Sequence, residues 1–166
     1  VFALAVQPDG RIMVGGAFAN LGGLPRSHLA RLDRNGGPDP TVLVQGANND
    51  VYALLCQPDD NVLVGGAFTN LMGRARSRLG RLTLSGPIDA TLNIPLDGGV
   101  KALAIQPDGW IVIGGGFTNV DGALHRSLAR VNPDGSVDAT FPCDAPDGVQ
   151  ALAIQPNEQV VVGGSF

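Results

Sequence analysis

Three arginines, Arg31, Arg81 and Arg130, recur at intervals of 50 and 49 residues, and each is followed eight positions later by an aspartate, Asp39, Asp89 or Asp138. A guanidinium and a carboxylate at a fixed offset can form a bidentate ion pair. The same arginines gathered into a ring could instead hold an anionic ligand. Recurrence in every copy favours pairing, because a scaffold needs a tie in each unit whereas a ligand site needs to occur only once. The expectation is that each Arg pairs with the Asp of its own or a neighbouring copy, fixing strand against strand or copy against copy.

Other chemistry-bearing residues are weighed the same way. Asp134 and Asp138 with Asn132 have a spacing reminiscent of calcium loops, but hard cations want six to eight oxygens. The second copy offers only Thr83, Ser85 and Asp89 there, so turn chemistry is the better account. The Gly-Gly pairs, and Gly114-Gly115-Gly116 above all, suggest a phosphate cradle. Such a loop must lead into a helix N-terminus, whereas Phe117-Thr118-Asn119 follows, so the glycines are read as marking close strand packing or a bulge. Asn20, Asn70 and Asn119 recur after each Gly-Gly-x-Phe and are expected to cap loop backbone. His28 and His125 occupy different repeat positions and form no zinc cluster, and no Gly-x-Ser-x-Gly elbow is present. No catalytic, cofactor-binding or metal-binding residue is therefore expected, and no cofactor. Residues that do not repeat, Trp110, His28, His125, Arg74 and Arg78, are the better candidates for ligand contact. Trp110 could stack on a sugar, but filling an outer sheet face is its commoner use. Cys56 stands in an apolar column with Val6, Ile105 and Ile154 and reads as a buried hydrophobe; Cys143 lies in a Pro-flanked loop. Two cysteines make no disulfide framework.

These residues sit in an internal repeat. Val1-Phe-Ala-Leu-Ala-Val-Gln-Pro8 returns from Val51, Val100 and Val149, and Gly-Gly-x-Phe returns at Gly15, Gly65, Gly114 and Gly163. The copies are 1–50, 51–99 and 100–148, with a partial copy 149–166. Each reads as four short strands. The first is the Ala-Leu run ending at Gln-Pro; a turn such as Asp9-Gly10 or Asp108-Gly109 leads to a β-branched second strand. A variable loop precedes the third, which contains the arginine. A turn at Asn35-Gly36, Ser85-Gly86 or Asp134-Gly135 leads to a short fourth strand near the aspartate, with Thr41, Thr91 or Thr140 two residues on. No segment carries a 3.6-residue apolar period, so almost no helix is expected.

The first two strands of each copy are apolar at nearly every position, which requires both faces to be covered. Sheets stacked as blades meet that condition, and a period near fifty with four strands fits a propeller. The fold expected is all-β: β-propeller-type blades of four antiparallel strands, three full repeats plus the first two strands of a fourth. A β-trefoil competes, but it leaves no place for residues 149–166 and wants more alternation. The pattern ALAVQPDGRIMVGGAF, then R-S-x-L-A-R-L, then D-G-S-V-D-A-T-F, resembles the bacterial delta-60 repeat over essentially the whole chain; the second copy departs from it at Asp60 and Ser85. The Gly-Gly after an apolar strand is also similar to kelch-type blades, without the kelch aromatics. The delta-60 resemblance implies a bacterial, often exported, multi-repeat protein, and it transfers no catalytic residues.

The totals narrow the partners. Of 166 residues 44% are hydrophobic and 16% charged, which argues against disorder. A net charge of −4 with one lysine, Lys101, gives no electrostatic reason to expect nucleic acid or an anionic membrane. No apolar stretch approaches the roughly 20 residues a spanning helix needs. The chain starts at Val1 rather than Met and reads as an excerpt. Three and a third copies fall short of the four to eight blades of a ring, so self-association is expected, most simply as a two-fold dimer, unless the chain is cut from a larger propeller. The function expected is a non-enzymatic binding or scaffolding module of a bacterial surface or secreted protein, with a protein or carbohydrate ligand. The alternative is a carbohydrate-active hydrolase or lyase with its site at a central mouth.

Overall fold

The computed structural model describes residues 1–40, 45–141, 145 and 147–166. Thr41 and Cys143 lie outside the described residues. All regular structure among the described residues is β. The first copy contains β1 (Ala3–Val6), β2 (Ile12–Gly15), β3 (Asn20–Leu21), β4 (Leu24–Pro25) and β5 (Leu29–Leu32). The second repeats them as β6 (Val51–Cys56), β7 (Val62–Gly66), β8 (Asn70–Leu71), β9 (Arg74–Ala75) and β10 (Leu79–Leu82). The third has β11 (Val100–Ile105), β12 (Ile111–Gly115), β13 (Asn119–Val120), β14 (Ala123–Leu124) and β15 (Leu128–Val131), and the partial copy has β16 (Val149–Ile154) and β17 (Val160–Gly164).

Within a copy the first, second and third long strands form one antiparallel sheet, in the orders β1-β2-β5, β6-β7-β10 and β11-β12-β15. The expected fourth strand shrinks to a single bridge, Leu32 to Pro38, Leu82 to Ile88 and Val131 to Val137. In the first copy the bridging residue is itself a proline, Pro38, which can donate no ladder hydrogen bond. The variable loop is in turn not structureless: it folds into the small hairpins β3-β4, β8-β9 and β13-β14.

The Pro-Asp-Gly turn works as its composition implies. Gly10 and Gly109 take φ of 83° and 91°, where a Cβ would be strained. Asp60 and Glu158 hold the same turn position at φ 66° in the copies that lack the glycine. A second left-handed position falls on His28, Arg78 and Ser127. It is held by reciprocal backbone bonds to Gly-Gly-x-Phe: Arg78 N donates to Phe68 O, and Gly66 N donates to Arg78 O.

The core lies between copies. Met13 of the first copy packs with Val51, Val62 and Val64 of the second; Leu63 packs with Val100, Ile111 and Ile113; Val112 packs with Val149. Fully burying each such valine or leucine is worth about 1.5–3 kcal/mol. Both faces of β7 and β12 are buried along their whole length, which explains their unbroken apolar sequence. A bulge at the start of β6, β11 and β16, after Val51, Val100 and Val149, breaks the regular register there. Val51 and Leu54 consequently both reach Gly15 of the preceding copy.

Candidate functional site

Each repeated arginine closes on the aspartate of its own copy. Arg31 donates through Nε and Nη2 to Asp39 Oδ2 at 3.1 and 2.9 Å. Arg81 Nε meets Asp89 Oδ2 at 2.7 Å, and Arg130 Nε and Nη2 meet Asp138 Oδ2 at 2.9 and 2.6 Å. The remaining nitrogen reaches the next copy: Arg31 Nη1 donates to Leu84 O at 3.0 Å, and Arg81 Nη1 to Pro133 O at 2.8 Å. The choice between own and neighbouring copy thus resolves in favour of the arginine's own copy for the aspartate, and Arg31 and Arg81 add a backbone carbonyl of the next copy. Arg130 Nη1 turns to Gln106 Oε1 at 3.3 Å, and its guanidinium lies between two rings, 4.8 Å from Trp110 and 4.7 Å from Phe141. Trp110 therefore serves a cation–π contact on the sheet rather than an open stacking platform.

A second arginine, absent from the sequence expectations, grips the same aspartates. Arg26 and Arg76, both buried, donate from Nη2 to Asp39 O at 3.0 Å and Asp89 O at 3.2 Å. Buried His125 holds that repeat position in the third copy. The Arg-Ser of R-S-x-L-A-R-L was the available signal; nothing in it indicated burial.

The carboxylates are turned inward to the chain. Asp138 also accepts from Thr140 N and Oγ1 at 2.9 and 2.6 Å. The Thr140 hydroxyl first, and Arg130 after it, pull its pKa down to about 2. Burial works to raise the Asp89 carboxyl, but the amide and hydroxyl of Thr91, then Arg81, outweigh it and hold it low. Asp134 accepts from Ser136 N and Oγ at 2.9 and 2.8 Å, and these bonds lower it in the same way. Asp134 and Asp138 thus serve two separate turns. Among the described residues no three His, Cys, Asp or Glu converge.

The loops after Gly-Gly-x-Phe are capped from outside. Asn48 Oδ1 accepts from Thr69 N and Asn70 N, both at 2.9 Å. Asp97 accepts from Thr118 N, Asn119 N and Asn119 Nδ2 at 2.8, 2.9 and 2.7 Å, and from Thr118 Oγ1 at 2.5 Å. Burial would raise the Asp97 carboxyl, but these four donors hold it well below the ordinary carboxylate range. The expected capping role of Asn70 and Asn119 is therefore reversed: their loop is what Asn48 and Asp97 cap. The segments carrying those caps also bridge onto the hairpin of the following copy, Ala47 to Leu71 and Leu96 to Val120.

Of the other candidates, His28 Nδ1 lies 3.1 Å from Asp50 Oδ1 and 3.1 Å from Gly16 O. Arg78 Nη1 donates to Leu96 O at 3.0 Å, and Arg74 lies exposed on β9. Cys56 is half-buried, and burial raises its thiol, with Asp60 and Asp9 adding to the effect. The first glycine of the pair in each full copy, Gly15, Gly65 or Gly114, sits against the next blade; a Cβ on Gly65 would stand 2.7 Å from Val100 Cγ1.

The chain is similar in shape to several solved structures. It matches a streptogramin B lyase with a TM-score of 0.62 at 15% identity, over 97% of this chain and 47% of the lyase. Against a catalytically inactive virginiamycin B lyase from Staphylococcus aureus, crystallised with quinupristin, the TM-score is 0.59 at 18% identity, with the same coverage. The extracellular domain of BT4673 from B. thetaiotaomicron, described as a one-component system, gives 0.56 at 18% identity over 97% of this chain and 19% of that one. The chain thus spans about half the length of the lyases and a fifth of the extracellular domain. At these identities the likeness is one of fold. No curated protein matches the sequence. A family model for a β-propeller domain of unknown function, DUF5122, matches three times, at residues 7–41, 57–92 and 106–141, one match inside each copy. Three matches spread over most of the chain settle the family: it belongs to the DUF5122 β-propeller domain family.

Proposed function

We propose that this chain is a non-enzymatic binding or scaffolding module of a bacterial surface or secreted protein. The observation that carries the reading is the engagement of the repeated charged groups. Arg31, Arg81 and Arg130 have their nitrogens on an aspartate and a further acceptor, while Asp89, Asp97 and Asp138 are surrounded by donors that stabilise the ionised form. A general acid needs a raised pKa, and the resolved aspartate shifts run the other way. The outward location draws support from the similarity to an extracellular bacterial domain and from the resemblance to delta-60 repeats.

The shape shared with streptogramin B lyases favours a second reading, a lyase or a carbohydrate-active hydrolase. Incubating the protein with quinupristin and with a set of soluble polysaccharides, and following products by mass spectrometry, separates the two. The binding reading expects no bond cleavage above the buffer blank. Product that disappears on Asp97→Asn or Asp138→Asn would overturn it.

A further inference from the structure

The first strand of each copy carries one position that does not repeat. Its second residue reads Phe2, Tyr52, Lys101 and Gln150, while every other position up to the Gln-Pro stays apolar. The bulge after Val51 and Val100 sets Tyr52 and Lys101 outside the regular ladder, which re-aims their side chains. Val51 and Val100 beside them are fully buried, whereas Tyr52 is half-buried and Lys101 exposed. The second and third copies have a neighbour on either side, so this exposure belongs to the position and not to an uncovered edge.

The two residues stand side by side. β6 lies against β11, and the Tyr52 ring reaches Gly99 of the next copy, where a Cβ would stand 3.8 Å from Tyr52 Cε2. Gly99 is two residues before Lys101, so no side chain at that point separates the ring from the lysine. On its other side the ring meets Phe2 at a centroid distance of 5.8 Å. Among the described residues the Tyr52 hydroxyl has no hydrogen-bond partner, and Lys101, the one lysine of the chain, has neither an ion pair nor a hydrogen bond. Arg31, Arg81 and Arg130, by contrast, are fully engaged in the scaffold.

We propose that Tyr52 and Lys101 bind a glycan that carries carboxylates, with a sugar ring lying on Tyr52 and a carboxylate pairing with Lys101 Nζ. Tyrosine offers an apolar face to the sugar C–H groups and a hydroxyl to its polar rim, and the ammonium group offers three donors to the carboxylate. Small ligands are held in concave sites that bury most of their surface. An open row along neighbouring strands suits a polymer, whose successive units can each take one position. The net charge of −4 opposes a polyanion at long range, so binding depends on the local pair and weakens with salt. This site gives the binding reading above, on which it rests, a class of ligand.

Titrating tetragalacturonate into the full chain by isothermal calorimetry tests the site, with its fully methyl-esterified form and tetraglutamate as controls. Lys101→Gln and Tyr52→Gln bring in the residue that Gln150 already places at this position, so both variants should fold, which their melting checks. Wild type is expected to bind the acid form, to bind the ester and the peptide far more weakly, and to lose affinity as salt is added. Each Gln variant should bind about tenfold or more weakly, from loss of one charged hydrogen bond or one stacked ring. Tyr52→Phe, which keeps the ring, should hold most of the affinity. A wild-type chain that does not bind the acid form overturns the proposal, as do Gln variants that bind like wild type or tetraglutamate bound as tightly. Mass spectrometry of the same mixtures separates the site from the reading beneath it. Bound and cleaved tetragalacturonate would end the non-enzymatic reading while the site stands; absent binding removes the site and leaves the module free to bind another ligand.

Discussion

Alanine in place of Gly65 would put its Cβ 2.7 Å from Val100 Cγ1 and 3.2 Å from Val100 Cβ. Carbon atoms rest about 3.5–4.0 Å apart, so the blades must separate or Val100 must turn to open roughly 1 Å. Val100 is fully buried and β-branched, with one strongly preferred rotamer, so turning is costly. Overpacking of this kind costs about 1–3 kcal/mol, offset by about 0.4–1 kcal/mol because alanine stiffens the unfolded chain. The net expectation is a loss of about 1–2 kcal/mol, which lowers Tm by about 2–8 °C for a chain of this size. Gly163 occupies the same repeat position with no blade against it, and the nearest atom to its Cβ would be 3.7 Å away. There only the unfolded-state gain remains, so Gly163→Ala should be neutral or stabilise by up to about 1 kcal/mol. Urea denaturation of the dilute variants, with unchanged slopes, reads both values. The reasoning fails if Gly163→Ala destabilises as much as Gly65→Ala, or if Gly65→Ala is silent.

Two further outcomes follow from the titrating groups. The folded chain holds Asp97 below its ordinary carboxylate range, so this group's contribution is present above the unfolded pKa of about 3.9 and is lost as pH falls further. Asn48 makes the equivalent cap with an amide. Asp97→Asn keeps an acceptor for the two backbone amides but cannot accept from Asn119 Nδ2, so it should be less stable than wild type at neutral pH and converge with it on acidification; parallel acid limbs would contradict this. Burial raises the Cys56 thiol, so in a Cys143→Ser background iodoacetamide at about pH 8 should alkylate the folded chain markedly more slowly than the urea-unfolded one. Equal rates in the two states would show that Cys56 is open.

The strands and the Arg–Asp pairs were legible because each rests on a local signal repeated three times. Arg81 and Asp89 are eight residues apart in every copy, and the unbroken apolar run of β7 announces a doubly covered strand. What was hidden depends on contacts between copies. Nothing in the string Asn48-Asn49-Asp50 announces that Asn48 caps Thr69 and Asn70 about twenty residues on. The carbonyl acceptors Leu84 O and Pro133 O belong to the backbone, which carries no residue signature at all. The hairpin β8-β9 leaves no mark in the sequence, because two-residue strands are too short to show a period. The fourth strand is shorter than the repeat implies for a different reason: the aspartate bonds its arginine by side chain, and a single residue beside it bridges the sheet.

A double-mutant cycle on Arg81 and Asp89 tests most directly the claim that the repeated charges are ties within and between blades. The pair is largely buried, with the two side chains 8% and 18% exposed, and Arg81 also holds Thr91 Oγ1 and Pro133 O. Removing one partner strands the other, at a cost of about 2–3 kcal/mol, toward the lower end for buried pairs because Asp89 keeps some water. The account predicts that Arg81→Ala and Asp89→Ala each lose about that much in urea denaturation. The double variant should lose little more than either alone, a coupling of about 1–3 kcal/mol. Additive losses, or an Arg81→Ala variant as stable as wild type, would contradict it.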